Sequence, residues 1–88
     1  MLRITVEPGP DGSVIRMAGR LAGEFVGEAE QVCRPAEPPL RLDARQLQSA
    51  DADGVAFLAT ILDGGGRVDG LSEYLAMRVA SLREGRSG

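Results

Sequence analysis

Leu2, Ile4 and Val6 alternate with Arg3, Thr5 and Glu7, the period of two that predicts a strand with one buried and one wet face. Pro8-Gly9-Pro10-Asp11-Gly12 turns the chain, and Ser13 to Ala18, carrying Val14, Ile15 and Met17, predicts a second strand returning antiparallel as a hairpin. From Glu24 to Arg34 the apolar positions Phe25, Val26, Ala29, Val32 and Cys33 recur at helical spacing, with Glu24, Glu28 and Glu30 outside that face. Pro35 and the Pro38-Pro39 pair end this helix, and Leu40 and Leu42 flank Arg41 in a third strand. Beyond the acidic turn Asp51-Ala52-Asp53-Gly54, the segment Val55 to Leu62 is apolar apart from Thr60, which predicts a helix buried on most sides. Asp63-Gly64-Gly65-Gly66 terminates it. A brief fourth strand follows at Arg67 to Asp69, and Leu71, Tyr74, Leu75, Val79 and Leu82 mark a last amphipathic helix that stops near Gly85.

The order is ββαβαβα. A crossing from strand through helix to strand makes parallel neighbours, so the hairpin makes the sheet mixed. The strands alternate instead of reading as continuous apolar runs, which places the helices mainly on one face and leaves the other partly wet. The fold class is therefore α/β, one domain with a four-stranded mixed sheet. With 88 residues there is material for a single small core; it is assigned to residues 1–84, with 85–88 as a disordered tail.

Composition narrows the chemistry. Net charge is −3, and the ten basic residues are all arginines scattered singly from Arg3 to Arg86, so no basic stripe forms to meet a phosphate backbone. Phe25, Phe57 and Tyr74 are too few to build a stacking platform, and no nucleic-acid partner is expected. No apolar run approaches the roughly 20 residues that span a bilayer, and the start MLRITVEP lacks a signal peptide's pattern; a cytoplasmic protein without direct membrane insertion is expected. The chain has no histidine and one cysteine, Cys33. At helical spacing from Phe25, Val26 and Ala29, that cysteine reads as a small core residue, and there is no histidine to activate it.

The turn at Asp51 is where function is sought, because it offers a helix N-terminus with exposed N–H groups. Asp51-Ala52-Asp53-Gly54-Val55 matches the first motif of aspartyl-nucleophile phosphatases of the haloacid dehalogenase type. Such an enzyme also needs an apolar strand directly before the aspartates, where this chain has Gln46-Leu47-Gln48-Ser49-Ala50, and a lysine to hold the phosphoryl group, of which it has none. A calcium loop with Asp51, Asp53 and Gly54 at its third, fifth and sixth positions would put Ser49 first and Thr60 twelfth, which leaves it short of charged ligands. The plainest reading is a helix cap by Asp51 or Asp53, with Gly54 permitting close packing.

Taken end to end, the chain resembles the STAS domain, the module shared by sulphate transporters and anti-sigma factor antagonists. Val14 to Leu21, VIRMAGRL, looks like the family's second strand and G-x-L segment. Leu40 to Leu58 is similar to its strand, spacer and D-S-[SAT]-G-L turn, and GGGRVDGLSEYL from Gly64 to Leu75 is similar to the last strand and helix of its short bacterial members.

The resemblance implies a non-catalytic regulatory module without cofactor or metal. In anti-sigma factor antagonists the serine after the turn's aspartate is phosphorylated by a partner kinase. Here Asp51 matches the aspartate and Gly54 the glycine, but the phosphoacceptor position falls on Ala52, and the aspartate after the G-x-L segment falls on Ala22. Asp53 would put a lasting negative charge where the phosphate would sit. The expected docking surface comprises Asp51, Ala52, Asp53 and Gly54 with the neighbouring Arg20 and Ala22, its aspartates offering charge to a basic patch on the partner. That partner would be an anti-sigma factor kinase or, in the alternative role of a STAS subunit regulating an ABC-type lipid transporter, the transporter's ATPase subunit. A degenerate structural domain without a switch is a third alternative, and the wet sheet face is open to a homodimer. Ser49, Thr60 and Ser72 remain as modification sites, Thr60 disfavoured by its buried helix.

Overall fold

Strand β1 (Leu2–Gly9) and strand β2 (Gly12–Leu21) close on each other across Pro10 and Asp11, in register from Gly9 opposite Gly12 to Leu2 opposite Gly19. Gly12 takes φ of 115°, a backbone conformation that side chains disfavour. Pro8, which cannot donate to a ladder, sits on a strand at the sheet's edge. The computed structural model describes residues 2–36 and 39–87; Met1, Glu37, Gly88 and Pro38, one of the residues expected to end the first helix, lie outside them.

Helix α1 (Glu24–Cys33) buries Val26, Ala29 and Cys33 and carries the chain over the sheet to strand β3 (Leu40–Ala50), which lies parallel to β2. Strand β4 (Arg67–Asp69) then joins β3, also in parallel, so the order across the sheet is β1-β2-β3-β4. The mixed four-stranded sheet and the ββαβαβα order are those expected from the pattern.

Several element boundaries differ from the sequence reading: β1 takes in Pro8 and Gly9, read as turn, and α2 opens at Ala52 instead of Val55. Strand β2 runs on to Leu21, past Ala18. Strand β3 continues to Ala50 through the residues read as a spacer. The register explains why its second half is hard to see: Arg16 pairs Asp43 but Ala18 pairs Gln46, and Gly19 pairs Leu47 but Arg20 pairs Ser49. Each step gives β3 one extra residue, a bulge that breaks the period of two. Its buried residues are Leu42, Ala44, Leu47 and Ala50, so the inward spacing changes from two to three. Helix α3 (Glu73–Ser87) carries on beyond Gly85.

Helix α2 (Ala52–Asp63) packs on β3 and β4, while α1 packs on β1 and β2, and α3 leans on α2. Ile15, Met17, Leu21, Leu42 and Leu58 form the inaccessible centre between sheet and helices. Helix α2 buries Gly54, Val55, Phe57, Leu58 and Ala59, but Thr60 is exposed, contrary to the expectation from its apolar neighbours. The opposite face of the sheet carries ion pairs: Glu7 with Arg16 at 2.6 Å, Arg16 with Asp43 at 3.7 Å, Asp43 with Arg45 at 2.8 Å and Arg41 with Asp69 at 2.7 Å. Among the described residues no helix is long and apolar enough to cross a membrane.

Candidate functional site

The β3–α2 junction is built around the side chain of Asp51. Its backbone is extended, with φ −84° and ψ −172°, which makes it the N-cap of α2. Carboxylate Oδ1 accepts the Gly54 N–H at 2.8 Å, while Oδ2 accepts the Gly23 N–H at 2.9 Å from the loop between β2 and α1. The Asp51 N–H in turn donates to the Leu21 carbonyl at 3.2 Å. One residue thus closes the first turn of α2 and ties it to a loop 28 positions earlier in the chain. The N–H groups of Gly54 and then Gly23 hold the Asp51 carboxyl below its ordinary pKa of 3.8, because they favour the charged form.

Gly54 has a packing reason to be glycine. A Cβ there would run into the Leu21 carbonyl and the Ala50 side chain, so its absence lets α2 settle directly against the end of β2. Gly23, at φ 56°, adopts a conformation that leaves its N–H aimed at Asp51. These contacts bring the Arg20 to Gly23 segment against the Asp51–Gly54 turn, the juxtaposition expected of the docking surface. Arg20, Ala52 and Asp53 are exposed and Ala22 is half-buried.

The two aspartates differ in kind. Both Asp51 oxygens are occupied by backbone donors, so its charge is largely committed inside the chain. Asp53 caps nothing and has no hydrogen-bond or ion-pair partner among the described residues, leaving its carboxylate available at the positive end of α2.

From Asp53 and Gly23 an open groove of about 720 Å³ runs between α1 and α2, floored by Val26, Cys33, Phe57 and Ile61. Gly27 lies along it with open space where a Cβ would stand. Burial raises the Cys33 thiol to about 11, which keeps it protonated and unreactive near neutrality.

Arg78 was missed by sequence reasoning. From α3 its Nη1 donates to the Ala50 carbonyl at 2.9 Å, and its guanidinium lies 5.8 Å from the centre of the Tyr74 ring. It therefore fixes the last residue of β3 immediately before Asp51. No local signal marks it, since its partner is 28 residues away.

Strand β3 runs directly into Asp51, but Gln46, Gln48 and Ser49 on it are exposed, so it is not the apolar strand that phosphatase chemistry needs before the aspartates. The lysine objection stands, and the capping geometry adds another: a nucleophilic carboxylate needs a free oxygen, whereas both of those on Asp51 hold N–H groups.

No known family model matches the chain, and no characterised protein matches it in sequence.

Proposed function

We propose that this is a non-catalytic regulatory module of STAS type that docks a protein partner on the surface formed by the Asp51–Gly54 turn and the Arg20–Gly23 segment. The observation that carries the reading is the pair of hydrogen bonds that the Asp51 carboxylate accepts, from Gly54 and from Gly23, which joins two chain segments into one rigid patch. A surface held in one geometry loses little freedom on binding. Exposed Ala52 and Asp53 lie at its centre, and the charge of Asp53 suits a basic site on the partner. Ala52 has no hydroxyl, so on this reading regulation does not pass through phosphorylation there. An ATPase-fold protein, either an anti-sigma factor kinase or a transporter's ATPase subunit, is the proposed partner.

The test uses Ala52→Arg and Asp53→Arg, which alter exposed side chains and leave the Asp51 bonds in place. With each as bait beside the wild type, an ATPase-fold protein should be recovered by the wild type, and its affinity should fall about tenfold or more in both variants, as expected for a large charged side chain placed at the centre of an interface. Equal binding by all three baits would sink the proposal. So would magnesium-dependent turnover of a generic phosphate ester that disappears in Asp51→Asn.

A further inference from the structure

Strand β1 is an edge of the sheet, with its outer side unpaired among the described residues. Which of its main-chain groups face outward follows from the hairpin. The Ser13 N–H donates to Pro39 at 3.3 Å, on the side of β2 away from β1, so the facing pair Pro8 and Ser13 is a non-bonded one. Pairs alternate along an antiparallel ladder. The amides of Arg3, Thr5 and Glu7 therefore point to β2, while those of Leu2, Ile4 and Val6, and the carbonyl of Pro8, point outward.

The side chains show a matching polarity. Val6 lies on the helix side of the sheet, yet it is 40% exposed, and Ile4 beside it is half-buried. Phe25 and Val32, also half-buried, stand seven positions apart on α1, which packs on β1, and neither lines the α1–α2 groove. On the wet face, exposed Arg3 has no ion-pair partner among the described residues, and Glu7 engages Arg16 through Oε1.

We propose that β1 pairs antiparallel with β1 of a second copy of this chain about a two-fold axis through Thr5, making one continuous sheet. That register is self-complementary. Ile4 faces Val6 of the other copy, and the two exchange both N–H···O bonds, because these are the outward-pointing residues. The Leu2 N–H meets the Pro8 carbonyl, so the missing amide of Pro8 costs only one of that pair's two bonds. Arg3 faces Glu7 in the closely spaced non-bonded pair, twice by symmetry, and Val6 is covered. Moving the second strand along by two residues either way sets Arg3 opposite Gly9 or Thr5 instead of Glu7, so the neighbouring registers lose the directly opposed charge pairs. This inference does not depend on the proposed docking surface, which lies at the β3–α2 junction.

The experiment is sedimentation equilibrium on the full chain, with Arg3→Glu, Glu7→Arg and the double exchange Arg3→Glu/Glu7→Arg, each checked for folding by circular dichroism. The wild type should be a reversible dimer. Each single exchange sets like charges opposite each other at two symmetric places and should weaken dimerisation about tenfold or more, and the double exchange should restore it to within about threefold. Val6→Lys should also dissociate the pair. As a readout of register, facing residues on the axis are about 4.5 Å apart at Cα, so Thr5→Cys should form a covalent dimer with oxidised glutathione while the wild type, whose Cys33 is buried, should not. A wild type that stays monomeric at millimolar concentration would overturn the proposal, as would a dimer indifferent to the charge exchanges or a Thr5→Cys variant that fails to cross-link.

Discussion

Gly54 and Asp51 show how much of the junction hangs on single residues. Gly54→Ala would drive a methyl into the Leu21 carbonyl and Ala50, and with main chain on one side there is little room to relax. We expect a loss of at least about 2 kcal/mol in urea unfolding. Asp51→Asn keeps a capping oxygen but sets an N–H₂ group against one of the two backbone donors, so it should destabilise less than Asp51→Ala; amide hydrogen exchange at Gly23 and Gly54 should quicken in both. That an aspartate caps here was legible from Asp51-Ala52-Asp53-Gly54 followed by an apolar run. That it was Asp51 and not Asp53, and that its second oxygen reaches Gly23, was not legible, because the loop from β2 arrives only through the parallel pairing of β2 with β3.

At the scale of elements, the two bulges of β3 decide where the candidate site sits. They add residues to β3 relative to β2, so both strands end at the same level, with Leu21 opposite Ala50, and the following turns meet. Periodicity found the first half of β3 and lost the second, since a bulge removes the alternation on which that signal rests. The starts of β1, β2, α1, β3 and β4, by contrast, fell within one residue of their expected places. Helix α1 offers a test of local against tertiary preference. Gly27 sits in its interior with nothing near its missing Cβ, so Gly27→Ala should stabilise the protein by about 0.7 kcal/mol, read as a higher urea midpoint at unchanged slope.

For the molecule as a whole, acid is the condition that should find its weak point. Hydrogen bonds from Arg45 carry the Asp43 carboxyl from 3.8 down to about 2, and backbone donors lower that of Asp51. A carboxyl whose folded pKa lies below its unfolded one contributes stability that is fully present above the unfolded value and is lost as pH falls through the folded one. Unfolding free energy should therefore be level above about pH 4 on account of these groups and fall between about pH 4 and 2. Asp43→Asn should flatten that fall and lower stability at neutral pH, which urea titrations across the range would read. A fall no smaller in Asp43→Asn than in the wild type would contradict this assignment.

What the sequence by itself determined is the kind and order of elements: the alternation of Leu2, Ile4 and Val6, the helical spacing of Phe25 to Cys33, the apolar block after Asp51 and the glycines that end it. Those signals are local, because hydrophobic period and turn chemistry act over a few residues. The tertiary structure alone decided which groups meet. Asp51 found Gly23, Arg78 found Ala50 and Arg16 found Asp43 across separations of about thirty residues, and β1 was left as an edge with its outward groups in a self-matching order. Such pairings depend on strand order and register, which belong to the sheet as a whole and have no counterpart in any short stretch of chain.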